Sequence, residues 1–140
     1  MDSVRKPPAW YSQPYGKDPS AWDSAVRQCA DLLRTWARRG YVGTYSEVVD
    51  EVPGLEWPEG PFTHHGSQIG RLLGDVSVGE WLENKPLLSA VVISSQEGHP
   101  GKGFYDLARE LGELATTSKD AELEYWQAEV RRCHEFWAQG

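Results

Sequence analysis

The residues of this 140-residue chain that suit a metal ion are a few histidines and a cysteine. They occur as His64-His65, His99 and Cys133-His134. Adjacent residues of a helix point about 100° apart, and none of these spacings matches a structural zinc site. The sequence therefore predicts neither a metal ion nor another cofactor.

A loose nuclease-like pattern is formed by Asp75 and the later Glu83-Asn84-Lys85. Such a set could hold a divalent cation if its carboxylates lay along a strand. Here the glutamate and lysine precede the apolar run that begins at Pro86, so a solvated helix end is the favoured interpretation. No catalytic residue is predicted, and the sequence favours a non-enzymatic protein.

Gly101-Lys102-Gly103 is the best candidate for a phosphate contact. It offers free backbone N–H groups and a cation just before a predicted helix. Its spacing is not that of a nucleotide-binding loop. A plain exposed turn and a DNA-backbone contact by Lys102 are the alternatives.

The elements that must position these residues are mostly helices. An unbroken apolar run from Pro86 to Ser94 predicts a strand covered on both faces. Helical periodicity and capping signals predict the other elements: helices over 20–39, 44–52, 63–76, 77–84, 104–114 and from 118 onward, and a short extended piece at 41–43. The predicted fold class is mostly α with a small β-sheet (α+β).

The first 19 residues hold four of the nine prolines, and Trp10, Tyr11 and Tyr15 lie among them. We interpret residues 1–19 as an extended arm whose aromatic side chains pack across the domain, and residues 20–140 as a single helical domain. No apolar run approaches the ~20 residues of a membrane span, and no hydrophobic signal segment stands at the N-terminus. A cytoplasmic protein without membrane contact is the expectation.

A row of glycines, Gly66, Gly70 and Gly74, lies on one face of the third predicted helix. Each glycine costs a helix roughly 1 kcal/mol relative to alanine. The row is therefore expected to face something close, either another backbone or a ligand. If helix one crosses there, Gly70→Leu should strongly destabilise the domain.

The order of helices, strand and glycine-rich turn is that of a winged helix-turn-helix, with extra C-terminal helices. The segment Thr44–Val48 resembles the Thr-Tyr-Gly-Glu-Ile opening of the winged domain in DNA alkyltransferases and alkyltransferase-like proteins. Asn84–Pro86, Val91-Val92 and Gly98–Gly103 fall where that family has its Asn-Pro, its Arg-Val-Val strand and its glycine turn. The resemblance covers about residues 41–104.

The family's reactive segment is not matched. Pro86-Leu87-Leu88-Ser89 stands where the family has Pro-Cys-His-Arg, or tryptophan in place of the cysteine. Without that nucleophile, alkyl transfer is not implied. The chain also resembles small bacterial and phage proteins that are uncharacterised, and this likeness implies no activity.

The resemblance implies non-enzymatic binding of double-stranded DNA. The third helix would present polar side chains to the groove while Lys102 contacts phosphate. The arginines that end helix one would add phosphate contacts, or would only complement the helix dipole. The candidate nucleic-acid contacts are Arg34, Arg38, Arg39, Ser67, Gln68, Arg71 and Lys102. Because the net charge is −7, DNA binding requires these cations to share one face.

Two other functions stay open. An acidic interaction protein, such as a phage- or host-derived inhibitor, would bind a basic protein through Glu56, an exposed Trp57 and Glu59. A small-ligand or nucleotide binder would instead use the glycine-lined face of the third helix.

Overall fold

A computed structural model describes residues 4–13, 15–52, 54–57 and 66–138, with the side chains of 66 and 67 excepted. The chain is mostly helical with a two-stranded parallel sheet, which confirms the predicted fold class. The helices are α1 (Pro19–Arg38), α2 (Tyr45–Glu51), α3 (Gly66–Leu82), α4 (Lys102–Glu110) and α5 (Lys119–Ala138). The strands are β1 (Gly43–Thr44) and β2 (Val92–Ile93). Within these ranges no helix is long and apolar enough to span a membrane.

Helix α1 begins and ends with local signals. The Asp18 side chain accepts hydrogen bonds from the backbone N–H groups of Ser20 and Ala21, and Pro19 occupies the first turn. The helix therefore begins one residue before the predicted Ser20. At its other end Gly40 has φ +65°, the left-handed conformation that glycine adopts most readily.

Helix α3 is one continuous helix, so the predicted break at Ser77 is wrong. The Ser77 hydroxyl accepts from the backbone N–H of Ser89 at 3.0 Å. The Glu80 carboxylate accepts from Arg34 at 2.6 Å. Ser77 and Glu80 have the spacing of a capping box, but both side chains form hydrogen bonds with residues outside α3. Neither side chain therefore caps the start of a separate helix.

The apolar run at 86–94 is buried over residues 86–92, largely as predicted, but most of it is not strand. Leu88–Val91 forms a 3-10 turn, and only Val92–Ile93 pairs, in parallel, with Gly43–Thr44. The cause lies in how the backbone polar groups of the run are satisfied. Side chains of the surrounding helices, rather than a neighbouring strand, supply many of the hydrogen bonds that buried backbone requires.

Three of these side chains come from α5. Glu129 accepts from the Leu87 backbone N–H at 2.8 Å. The Cys133 thiol donates to the Leu87 carbonyl at 3.3 Å, and the Trp126 indole donates to the Ala90 carbonyl at 2.9 Å. Helix α5 is thus held to the central segment through polar contacts as well as apolar burial.

A turn follows β2 and leads directly into α4. Within it the Ser94 backbone N–H donates to the His99 carbonyl at 3.0 Å. The described residues contain no strand after β2, so Lys102 stands in the first turn of a helix and not at the tip of a β-loop. The winged-helix resemblance itself stays a prediction.

The N-terminal arm lies across the helices. Arg5 donates to the Trp81 carbonyl at 2.7 Å, and the Trp10 indole donates to Glu110 at 3.1 Å. Trp10, Tyr11 and Tyr15 all pack against the buried core. These contacts connect the arm with both α3 and α4.

Candidate binding pocket

The glycine face of α3 is turned toward the arm and toward open space. A Cβ atom built on Gly74 would lie 3.1 Å from Cη2 of Trp10, whereas one built on Gly70 would meet no described atom within 4 Å. Of the two possibilities for this face, a close crossing by helix one at Gly70 is therefore not found among the described residues. The expectation that Gly70→Leu strongly destabilises the domain depended on that crossing, and the structure gives no such reason for it.

The open space at Gly70 belongs to a pocket of about 450 Å³, which we call the arm pocket. It lies between α3, α4, the N-terminus of α2 and the arm. Most of its described lining is apolar or aromatic, with Trp10, Tyr45, Ile69, Leu73, Phe104 and Leu107 as the larger side chains. Its few charged lining residues are Arg71, Asp106 and Glu110.

Arg71 fastens the arm to α3. Its guanidinium donates to the Trp10 carbonyl at 2.7 Å, to the Gln13 carbonyl, and to Asp75 at 3.1 Å. The same group lies 5.2 Å from the centre of the Trp10 ring. The sequence predicted an exposed Arg71, but its side chain is only 15% exposed because the arm covers it. Its role in DNA binding stays untested.

Asp75 is the buried partner of Arg71. Its second oxygen accepts from the Trp22 indole at 2.7 Å. Burial raises the pKa of Asp75 above its usual value, and the bonds from Trp22 and Arg71 offset this only in part. Glu83, the other carboxylate of the nuclease-like pattern, pairs separately with Lys85 at 2.9 Å. In the described part of the chain, no group of three His, Cys, Asp or Glu residues is placed to hold a metal ion.

Lys102 begins α4 and is highly exposed, but its charge is compensated. Its ammonium lies 2.7 Å from Asp106 one turn later, and Arg109 lies 3.1 Å from the same carboxylate. The hydrogen bond from Lys102 is the main reason that the pKa of Asp106 is lowered. The backbone N–H of Gly101, just before the helix, donates to the Tyr45 hydroxyl at 2.7 Å.

The predicted cations at the end of α1 gather around a tryptophan. The guanidinium groups of Arg34 and Arg38 lie 5.4 and 5.6 Å from the centre of the Trp137 ring. Lys85, which is not among the predicted nucleic-acid contacts, reaches the same ring at 5.3 Å. Arg39 is exposed just beyond the helix. The structure thus brings Arg34 and Arg38 together, while Arg71 and Lys102 have other partners.

The remaining predicted contacts are dispersed. The Gln68 side chain donates to the backbone carbonyl of Glu56 at 3.1 Å, and the Ser67 side chain lies outside the described residues. Glu56 is exposed, but Trp57 is partly buried against the core, contrary to the exposed anchor that we expected. Glu59 also lies outside the described residues.

A second, more polar groove of about 930 Å³ flanks the other side of α4. His99 lines it, with its Nδ1 2.8 Å from the Pro100 carbonyl and 3.3 Å from the Tyr105 hydroxyl. Burial is the main reason that the pKa of Tyr105 is raised to about 12. Arg109 and Glu122 pair across this groove at 2.8 Å, so much of its charge is balanced internally.

The sequence patterns did not predict the arm pocket as an enclosed binding site. The glycine row indicated that a ligand or a backbone lies close to α3. The aromatic residues of the arm indicated that it packs somewhere. Nothing in the sequence pattern connects Trp10 with Glu110, because 100 residues separate them.

No family model matches the chain, and no curated protein or solved structure matches it. The resemblance to alkyltransferase-like winged domains therefore stays a prediction. A fold alone does not define an activity, so the geometry of the arm pocket is what bears on function.

Proposed function

We propose that this protein is a non-enzymatic binding protein whose arm pocket takes a small, largely apolar molecule. A volume of about 450 Å³ suits such a ligand, since typical ligand sites measure roughly 300–1,000 Å³. Apolar and aromatic side chains form most of the lining, with few polar groups. That composition provides burial for the body of a ligand and a small number of orienting contacts.

The observation that carries this proposal is the space at Gly70, which no described atom fills. A helix-interior glycine costs about 1 kcal/mol relative to alanine, and close packing is the usual structural reason for it. At Gly70 that reason is missing, because a Cβ would meet no described atom within 4 Å. A side chain there would extend into the arm pocket, so glycine leaves room for a ligand.

The pocket wall formed by the arm is held in place before any ligand arrives. Trp10 is fixed at both ends of the residue, because Arg71 binds its carbonyl and Glu110 accepts from its indole. A preformed wall lowers the ordering cost of binding. This arrangement supports binding by a largely rigid pocket.

The test uses 1-naphthalenemethanol, a neutral aromatic probe, titrated into the protein and followed by NMR shifts and tryptophan fluorescence. We expect saturable binding to the wild type and a loss of at least tenfold in affinity for Gly70→Leu, because leucine occupies the space. Gln127→Leu adds the same side chain at an exposed position of α5 and is the matched control. Thermal melts verify that both variants are folded. Absence of binding by the wild type, or equal binding by Gly70→Leu, contradicts the proposal.

DNA binding is the second candidate, and the group at Trp137 is the observation that favours it. Arg34, Arg38 and Lys85 meet there, although Glu80 and Glu83 compensate two of them. Three phosphate contacts would give a log–log salt slope of about −3. Fluorescence anisotropy with a labelled duplex measures that slope, and Arg38→Ala should reduce it by about one.

A basic protein partner is the third candidate and has the least support. The net charge of −7 favours such a partner in general. The predicted contact residues do not form a described surface, because Trp57 packs against the core and Glu59 lies outside the described residues. A pull-down comparing the wild type with Glu56→Lys tests this candidate.

A further inference from the structure

The arm pocket contains a carboxylate whose charge no described residue compensates, and this bears on the class of ligand. We propose that the pocket prefers an organic cation: a protonated amine carried on an aromatic or aliphatic body, with the ammonium at Glu110. This inference rests on the proposed function and adds the charge of the ligand to it.

Glu110 lies at the end of α4 and lines the pocket. Its carboxylate oxygens accept from the Trp10 indole at 3.1 and 3.3 Å, and that donor is neutral. Among the described residues no Lys, Arg or His lies within ion-pair distance of Glu110. A carboxylate has about four acceptor positions, so it retains capacity for an ammonium donor while it holds Trp10.

The other charged groups of the pocket are compensated within the chain. Arg71 pairs with Asp75 at 3.1 Å. Asp106 receives Lys102 at 2.7 Å and Arg109 at 3.1 Å. Neither Arg71 nor Asp106 therefore determines whether the pocket prefers a cation or an anion. Glu110 is the charged lining group that determines it.

The N-terminus of α4, at the Gly101–Gly103 side of the pocket, favours an anion instead. A helix terminus is equivalent to about half a positive charge at most. Glu110 carries a full negative charge, about seven residues further along the same helix. The larger charge decides the preference at the Glu110 end of the pocket.

Aromatic side chains reinforce the preference for a cation. Trp10, Tyr45 and Phe104 all line the pocket, and aromatic faces attract cations through their quadrupole. The Trp10 ring already makes such a contact, since the Arg71 guanidinium lies 5.2 Å from its centre. A carboxylate beside aromatic walls is a combination that suits an ammonium group with an apolar body.

The experiment compares three probes that share one ring system: 1-naphthylmethylamine (a cation at neutral pH), 1-naphthalenemethanol and 1-naphthoate. Calorimetric or NMR titration at low salt should show the amine binding about three- to fivefold more tightly than the alcohol, as expected for one exposed charge pair. The naphthoate should bind most weakly. The amine's advantage should shrink as salt is added, because the carboxylate is exposed to solvent.

Glu110→Gln is the decisive variant, because glutamine can still accept from the Trp10 indole but carries no charge. We expect the ratio of amine to alcohol affinity to fall clearly below the wild-type value, with the aromatic side chains accounting for any small advantage that remains and the affinity for the alcohol unchanged. Glu124→Gln removes the same charge from an exposed position of α5 and should leave the ratio as in the wild type.

The outcomes separate this inference from the proposed function. If the alcohol binds the wild type but the amine has no advantage, or if the naphthoate binds best, the cation preference is wrong while the pocket remains a binding site. An advantage that is undiminished in Glu110→Gln overturns it as well. If none of the three probes binds, both the proposed function and this inference fail.

Discussion

Arg71 donates from Nε to Oδ1 of Asp75 at 3.1 Å, one turn further along α3, and both side chains are largely buried. The other oxygen of Asp75 accepts from Trp22 of α1, and the outer nitrogen of Arg71 holds the carbonyls of Trp10 and Gln13 in the arm. One ion pair thus connects α1, α3 and the N-terminal arm, and its removal has consequences that can be measured.

We expect Arg71→Ala to lower the free energy of unfolding by about 3 kcal/mol, measured by urea denaturation. The substitution leaves Asp75 buried without its cation and frees two arm carbonyls, and breaking a buried pair costs about this much. Arg27→Ala, at an exposed position of α1, is the control and should change stability by no more than about 0.5 kcal/mol. Equal effects of the two substitutions would show that Arg71 does not anchor the arm.

Asp75 should make stability depend on pH in a defined direction. Burial raises the pKa of Asp75 above its usual 3.8, so the folded chain takes up this proton more readily than the unfolded chain. Its contribution to stability is therefore greatest at low pH and is lost as the pH rises through the raised pKa. The stability of the wild type relative to Asp75→Asn should therefore increase as the pH is lowered from neutrality toward 3.8, the usual pKa of an aspartate. A difference that shrinks on acidification would mean that the pKa is lowered instead.

Two glycine-to-alanine substitutions should have opposite effects. Gly70→Ala adds a methyl group in open space and should raise the free energy of unfolding by about 0.5–1 kcal/mol through helix propensity. Gly43→Ala would place its Cβ 2.3 Å from Cη2 of the buried Trp36 ring, and overpacking of this kind costs about 1–3 kcal/mol. Chemical denaturation of both variants measures the two values. A destabilised Gly70→Ala would indicate that the face at Gly70 is covered.

Glu129 should stabilise the central segment through its oxygen atoms. Glu129→Ala leaves the buried N–H of Leu87 without its acceptor, and an unsatisfied buried donor costs about 1–3 kcal/mol. Glu129→Gln retains a carbonyl acceptor and should cost less. Glu135→Ala, exposed on the same helix, is the control for changes in helix propensity. Thermal or urea unfolding ranks the three variants, and equal losses for Ala and Gln at position 129 would contradict the contact with Leu87.

The sequence by itself determined the features that depend on near neighbours. The capping box at the start of α2 is formed as predicted: Thr44 accepts from the Glu47 backbone, and Glu47 accepts from the Thr44 backbone at 3.1 Å. The apolar face of α1 and its end near Gly40 also follow the pattern. Cys29 and Cys133 lie at apolar positions of their helical patterns, and both are free, buried thiols. These features involve groups a few residues apart, where local geometry limits the alternatives.

Tertiary structure decided the features whose partners are distant in sequence. Ser77 and Glu80 have the same spacing as Thr44 and Glu47, but they lie inside a continuous helix because Ser89 and Arg34 bind them. The run at 86–94 has the composition of a strand, yet helix side chains take many of the backbone hydrogen bonds that a neighbouring strand would supply.

The arm pocket is the clearest case of this second kind. The spacing of the glycines showed that one face of α3 lacks side chains. Whether a helix, the arm or empty space lies opposite this face depends on contacts between residues more than fifty positions apart. Local periodicity does not encode such contacts. Arg71 is the physical reason that the arm lies there. A buried guanidinium needs several acceptors, and the arm carbonyls of Trp10 and Gln13 provide them beside Asp75.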